Sequence, residues 1–170
     1  YAMDFEKRLK HGELTNPDSI HFADSLKYYT LRKHRVVYGG GGIMPDYFVP
    51  LDTMTYTKYH RQLVAKGIVT DVVLRYIDDN RKKLKKSFDT FDKFNKEFVV
   101  PKELLDEIRK KAADKDVKPK DDEELNRTMP YLSNQLKALV ARDIWDMDEY
   151  FHIINETSDI VKKGLLRMKN

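Results

Sequence analysis

The strongest candidate for chemistry in this sequence is a run of four glycines, out of seven in the chain. The run and the residues that complete its motif are Gly39, Gly40, Gly41, Gly42, Ile43, Pro45 and Asp46. A glycine run can cradle phosphate when a helix begins behind it, because free N–H groups and the helix dipole then face the anion. Here the strand-like segment Tyr47-Phe48-Val49 follows instead, with no Lys-Ser or Lys-Thr pair after the run. We therefore interpret the run as a structural loop between strands, where glycine lets another backbone approach closely.

Metal, cofactor and disulfide chemistry are not expected from this sequence. The paired acids Asp78-Asp79 and Asp121-Asp122 lack the glycine and the ligand spacing of a calcium loop. The chain has no cysteine, which excludes disulfides and cysteine-metal sites. The histidines form no His-x3-His or His-Glu-x2-His pattern of a zinc site, and they are His11, His21, His34, His60 and His152.

A basic run from Arg81 to Lys86 is the clearest charge feature of the chain. Such a run could bind nucleic acid or anionic lipid. However, the net charge is only +4, with 28 acidic residues interspersed, and no nucleic-acid-binding motif accompanies the run. We interpret it as the solvated C-terminal end of a helix, where the helix dipole favours cations. No nucleic-acid partner is expected.

The elements that position these residues change near Pro50, from short strands before it to helices after it. The predicted fold class is mainly α with a small β portion: a short hairpin or strand arm at about 27–50, followed by a C-terminal helical bundle at about 55–168. The predicted domains are 1–50, an arm with a short helix, a hairpin and the glycine-rich loop, and 51–170, a helical domain. The arm's predicted elements are a helix at 4–11 ended by Gly12, an Asn16-Pro17-Asp18 turn, and strands at 28–32 and 35–38.

The helical part is predicted from caps, breakers and apolar spacing. Thr55 can cap a helix that Gly67 stops, Thr70 or Asp71 can cap the next, and Pro101 fits a first helical turn. The charged stretch 114–122 is predicted to be an exposed linker or a disordered loop. Pro130 would start or kink a helix, and Trp145 is expected in the core. One apolar stripe predicts a buried helix face, and its residues are Phe88, Phe91, Phe94 and Phe98. Two further stripes predict helices of the bundle: Leu132, Leu136, Leu139, Val140 and Ile144, then Met147, Phe151, Ile154, Val161, Leu165 and Met168.

The segment around the glycine run also resembles a known family. Lys27-Tyr28-Tyr29-Thr30, Arg35-Val36-Val37-Tyr38 and Gly39 to Val49 are similar to part of the carboxyl-terminal processing peptidases. These are serine peptidases with a Ser-Lys dyad, in which a Gly-Gly-Ile-x-Pro-Asp element follows the catalytic strands. In that family the nucleophilic serine, the lysine base and a PDZ domain all precede this motif.

The resemblance implies that this chain is a non-catalytic C-terminal segment of such an enzyme, inactive alone. Residues 1–50 would complete the sheet of the protease core, and the helical part would stabilise, assemble or limit access to the enzyme. The implied partners are the protease core and PDZ domain of the same full-length chain, with a protein substrate for the intact enzyme. The implied location is the periplasm or cell envelope of a bacterium. No serine here lies in a setting like the family's nucleophile; they are Ser19, Ser25, Ser87, Ser133 and Ser158.

Two further interpretations of the chain stay open. It could be a stand-alone helical module that binds a protein partner through an apolar helix face. Unpaired strand edges also offer free N–H and C=O groups, so self-association through strands in the range from Tyr28 to Val49 is expected if no larger sheet covers them.

Overall fold

The computed structural model describes residues 2–21, 23–39, 47–50 and 56–168. The chain divides into two compact units, Tyr1–Asp52 and Thr53–Asn170. The first unit holds a short helix and a hairpin, and the second is helical. The predicted fold class, mainly α with a small β portion, is confirmed.

The first unit contains α1 (Ala2–Lys10), two 3₁₀ turns (Pro17–Ser19 and Asp24–Leu26) and strands β1 (Lys27–Tyr29) and β2 (Val36–Tyr38). The strands pair antiparallel, with Tyr28 opposite Val37. The turn between them is closed by Thr30, whose Oγ1 accepts a hydrogen bond from the Arg35 N–H at 2.9 Å. The strands are shorter than predicted, because the turn takes up the residues from 30 to 35.

A third strand was predicted over Tyr47-Phe48-Val49, and that prediction is wrong for these residues. Residues 47–50 contain no strand in the structure. A strand needs a neighbour for its backbone groups, and within the described residues of this unit the sheet has two strands, β1 and β2.

The second unit is built from seven helices in its described residues. They are α2 (Lys58–Ala65), α3 (Ile68–Ser87), α4 (Phe91–Glu97), α5 (Lys102–Asp114), α6 (Asp122–Ile144), α7 (Met147–Thr157) and α8 (Asp159–Met168). Helix α3 packs against both α5 and α6, and α7 packs against α6. Their apolar stripes form one core, whose central side chains include Leu63, Ile77, Ile108, Leu136 and Ile153.

Gly67 joins α2 to α3 without a loop. Its φ of +69° lies in the left-handed region, which ends α2 as predicted. The next helix then begins at once, at Ile68. The predicted caps Thr70 and Asp71 therefore lie inside α3, and that part of the prediction is wrong.

The phenylalanine stripe forms a cluster, although not on one helix. Because α4 is short, Phe88 and Phe98 flank it, with Phe94 fully buried between them. Phe94 and Phe98 stack at 4.5 Å between ring centroids, and Phe88 meets Phe94 edge to face at 5.3 Å. Trp145 packs against Phe94 at 5.2 Å, so the expected core role of the tryptophan is confirmed.

The stretch 114–122 is exposed at most of its positions, as predicted, but its ends belong to α5 and α6. Val117, which is 2% exposed, joins the core and anchors the stretch. Pro130 does not start a helix, because it lies inside α6, eight residues after the first residue Asp122, and the predicted kink stays a prediction. The final apolar stripe is divided between two helices, because α7 ends at Thr157 and α8 begins after Ser158.

Candidate functional site

The hairpin of the first unit exposes large apolar side chains on both faces. Neighbouring strand residues point to opposite faces, and the exposed fractions of Tyr28, Tyr29, Val36 and Val37 lie between 44% and 59%. Leu31, in the turn, is 94% exposed. An isolated hairpin is marginally stable in water, so this surface has the character of a sheet fragment that needs further cover.

Gly39 is the one predicted site residue that the structure describes. Its N–H donates a hydrogen bond to the Leu26 carbonyl at 2.7 Å. A Cβ at position 39 would stand 2.7 Å from Cε2 of Tyr28, closer than side-chain carbons approach. The absence of a side chain therefore leaves room for the Tyr28 ring. The other predicted site residues lie outside the described residues, and they are Gly40, Gly41, Gly42, Ile43, Pro45 and Asp46.

A buried chain of hydrogen bonds joins α2 to α6 in the second unit. The His60 N–H donates to Thr57 Oγ1 at 3.1 Å, so Thr57 caps α2. Thr57 Oγ1 lies 2.6 Å from Thr128 Oγ1, and the Thr128 hydroxyl donates to the Glu124 carbonyl at 2.7 Å. Since the Thr128 proton is used in that way, the Thr57 hydroxyl is the donor to Thr128. The sequence reasoning missed this network, although a threonine at a helix start is a signal for a cap.

His60 lies in the same junction and is buried at 4% exposure. Its Nε2 is 2.9 Å from Oε1 of Gln135. Burial lowers the pKa of His60, because the low-dielectric surroundings disfavour the imidazolium, and the bond to Gln135 opposes this only in part. His60 is therefore a neutral structural histidine near pH 7.

The carboxylate of Glu124 occupies the start of α2. Its Oε1 accepts from the Tyr59 N–H at 3.0 Å and its Oε2 from the Lys120 N–H at 2.7 Å. These backbone hydrogen bonds, that from Lys120 first, lower the pKa of Glu124. The positive end of the α2 dipole is therefore already matched by an anion of this chain.

An open cavity of about 350 Å³ lies beside this junction. Both basic and acidic side chains line it, so it has no strong preference for one sign of charge. They are Lys58, Arg61, Lys120, Arg127, Asp121, Glu123 and Glu124. Its lining holds no serine, cysteine or histidine among the described residues. The Thr57 hydroxyl there is already committed to Thr128. Among its described lining residues the cavity therefore holds no serine, and so no Ser-Lys pair.

Lys137 resembles the base of a Ser-Lys dyad in one respect. Burial lowers the pKa of its ammonium group. However, its Nζ donates to the Asn95 carbonyl at 2.5 Å. Within the described residues no hydrogen bond joins it to a serine, including Ser133 one turn earlier on α6. Lys137 therefore connects α6 to α4.

The basic run lies at the C-terminal end of α3, and Arg81 of this run binds to α6. Arg81 Nη2 lies 2.7 Å from Asp143 Oδ1, and Nη1 donates to the Asp143 carbonyl at 3.1 Å. These contacts raise the pKa of Arg81. The lysines of the run, Lys82, Lys83, Lys85 and Lys86, are exposed.

The described residues contain no group of three or more histidine, aspartate or glutamate side chains placed to hold a metal ion. In the same part of the chain, no helix is both long and apolar enough to cross a bilayer.

A family model matches residues 59–146, which is just over half of the chain. Its description is a family of unknown function, DUF8443. The chain belongs to DUF8443. The matched span begins in α2 and ends at Asp146, the residue that caps α7. It contains the phenylalanine cluster and the junction residues His60, Glu124 and Thr128, but Thr57 lies just before it. No curated protein and no solved structure gives a significant match.

Proposed function

We propose that this member of DUF8443 is a non-catalytic C-terminal segment of a carboxyl-terminal processing serine peptidase. In this proposal β1 and β2 complete the sheet of a protease core that supplies the Ser-Lys dyad. The whole enzyme acts on the C-termini of proteins in the bacterial periplasm or envelope. The observation that carries the proposal is the exposed apolar hairpin, together with the sequence resemblance at residues 27–49.

The hairpin supports this proposal through the surface that it leaves uncovered. Covering a large apolar side chain contributes about 1.5–3 kcal/mol. A neighbouring strand would also satisfy the backbone groups at the sheet edge. When the hairpin pairs with a larger sheet, Tyr28, Val36 and Val37 are stabilised both by burial of their side chains and by hydrogen bonds to their backbone groups. Gly39 contributes by leaving room for the Tyr28 ring.

The helical unit supports a scaffolding role within that enzyme. The hydrophobic core of this unit is formed by residues of its own helices and turns. The buried polar groups at its α2–α6 junction are hydrogen-bonded to one another. Lys137 and the cavity beside Thr57 provide no nucleophile–base pair among the described residues. We propose that this unit stabilises the protease, assembles it or limits access to its cleft.

The proposal is tested on the protein made from the complete reading frame that contains this sequence. We expect that product to cleave peptides and to lose cleavage when its dyad serine is replaced, while the present chain alone cleaves nothing. A reading frame without a Ser-Lys core would overturn the proposal. So would peptide cleavage by the present chain that one of its own serines supports.

A matched pair of variants tests the hairpin within the same protein. Val37 in β2 and Val64 in α2 are 44% and 43% exposed here. In the complete enzyme we expect Val37→Lys to lower stability and turnover strongly, because it places a charge against the protease sheet, whereas Val64→Lys changes little. Equal, small effects of the two variants would contradict a covered hairpin.

The second candidate function is a stand-alone helical module that binds a protein partner. The observation that favours it is the family match, which covers α2 to α6 of the helical unit and leaves out the hairpin. Members of DUF8443 whose reading frames lack any peptidase core would support this candidate. Their consistent fusion to such a core would support the peptidase segment.

A further inference from the structure

Another cavity, of about 340 Å³, lies where the second half of α3 meets the end of α4 and the segment that leads into α5. One of its walls is polar and belongs to α3, because the polar lining residues there recur every three or four positions and so share one helix face. They are Tyr76, Asn80, Lys83 and Ser87. A cavity of this size can hold a small molecule.

The other wall of this cavity is apolar. Phe88 and Phe98 line it, with their ring centroids 5.9 Å apart and their planes at 80°. Val99 also lines the cavity and is 81% exposed. A large apolar group of a ligand would cover this wall, and an aromatic ring would add edge-to-face contacts with the two phenylalanines.

The lining presents one charge of each sign. Lys83 of α3 and Glu97 of α4 both line the cavity. Within the described residues neither of them forms an ion pair, with the other or with a further side chain. A ligand that carries both charges can therefore pair with each side chain at once.

The charges around the cavity also differ from one end of its polar wall to the other. Glu103, in the first turn of α5, acts on Tyr76, whose pKa is raised first by burial and further by that carboxylate. Lys83 lies two turns later, about 10 Å along α3, among the exposed lysines of the basic run. The surroundings are therefore negative near Tyr76 and positive near Lys83, which favours a dipolar ligand over a simple ion.

We propose that this cavity binds a free α-amino acid with a large apolar side chain. Lys83 pairs with its carboxylate, Glu97 pairs with its ammonium group, and the apolar wall covers its side chain. The Ser87 hydroxyl, one turn after Lys83, forms no hydrogen bond within the described residues and can donate to the same carboxylate. This proposal concerns the helical unit alone and does not depend on the proposed peptidase function.

Calorimetric titration of the whole 170-residue chain with L-phenylalanine tests the binding. We expect saturable binding with a Kd in the micromolar to millimolar range. N-acetyl-L-phenylalanine lacks the cation and L-phenylalaninamide lacks the carboxylate. Each should therefore bind at least about tenfold more weakly, a loss of about 1.4 kcal/mol.

Two variants assign the charged partners. Lys83→Gln should bind L-phenylalanine and its amide about equally, because the side chain that distinguishes them is gone. Glu97→Gln should in the same way lose the preference for L-phenylalanine over its N-acetyl derivative. The controls are Lys85→Gln and Glu107→Gln, which change exposed residues outside the lining and should bind as the natural chain does. Circular dichroism of each variant checks that the helices remain.

Three outcomes would overturn the proposal. The first is the absence of saturable binding at millimolar L-phenylalanine. The second is N-acetyl-L-phenylalanine binding as tightly as the free amino acid, which would assign the cavity to apolar anions. The third is undiminished binding of L-phenylalanine by both Lys83→Gln and Glu97→Gln, which would place the ligand elsewhere on the chain.

Discussion

The carboxylate of Glu124, in the first turn of α6, accepts a hydrogen bond from the backbone N–H of Tyr59 at the start of α2, with 3.0 Å between Oε1 and N. The two residues are 65 positions apart in the chain. One side chain therefore satisfies an otherwise unpaired donor of α2 and orients α2 on α6. The same carboxylate accepts from the Lys120 N–H, so it also holds the turn before α6.

Replacing Glu124 by glutamine should destabilise the helical unit by about 1 kcal/mol, because a charged acceptor is lost at a helix start. Since the pKa of Glu124 is lowered in the folded state, its contribution is present above the ordinary value of 4.5 and is lost as the pH falls through the folded-state pKa. Urea unfolding at pH 7 and at pH 3 measures both effects. The control is Glu123→Gln, an exposed neighbour. Equal destabilisation by both variants would contradict the assigned role.

The buried threonine pair gives a second prediction. Thr128→Val keeps the shape but leaves the Thr57 hydroxyl without its acceptor, so we expect a loss of about 1–3 kcal/mol in the free energy of unfolding. Thr128→Ser retains the hydroxyl and should cost less. Denaturant unfolding of Thr57→Val, of Thr128→Val and of the double variant measures the coupling between the two hydroxyls. Strict additivity would show that the two hydroxyls act independently.

His60 should make the helical unit sensitive to mild acid. Its folded-state pKa is lowered, so the unfolded state binds the proton more tightly. Stability is complete above the ordinary value of 6.5 and declines as the pH falls toward the folded-state pKa, with a slope of at most about 1.4 kcal/mol per pH unit. His60→Gln should flatten this decline between pH 7 and pH 5 in thermal unfolding. His11→Gln, an exposed histidine of the other unit, should leave it unchanged.

Two glycines should respond in opposite directions to alanine. Gly67 has a φ of +69°, so Gly67→Ala should destabilise the helical unit by about 1–2 kcal/mol. Gly164 is an interior helical residue with open space around its Cβ position, so Gly164→Ala should raise the stability of the helical unit by up to about 1 kcal/mol. Urea unfolding measures both. A stabilising Gly67→Ala would contradict a left-handed backbone at the α2–α3 junction.

Local signals in the sequence predicted where several helices begin or end and where the hairpin gives way to helices. Gly67 ended a helix because few residues adopt positive φ. Pro101 marked the start of α5, although it is the extended cap residue before Lys102 and not part of the predicted first turn. The change from hairpin to helices near Pro50 was likewise visible in the apolar spacing. These features depend on neighbours in the chain, which is why composition and periodicity were enough.

The contacts between distant residues could not be predicted in the same way. Thr57 and Thr128 are 71 positions apart, and nothing in the sequence of either marks the other as its partner. Val117 lies in a charged stretch whose composition predicted a linker, yet the burial of this one side chain holds the stretch against the helical core. The break at Ser158 divided an apolar stripe that continued through it without a glycine or proline. Tertiary packing decided each of these, and the proposed role of the glycine run stays a prediction.

Val117 also gives the turn between α5 and α6 a consequence for proteolysis. Lys115 and Lys120 offer trypsin two exposed cleavage sites there. A protease cleaves a flexible segment of backbone, and the buried Val117 side chain must leave the core before the turn between α5 and α6 can become flexible. The rate of tryptic cutting at this turn should therefore report how often the helical core opens, and Val117→Ala should quicken it while the exposed Val99→Ala does not.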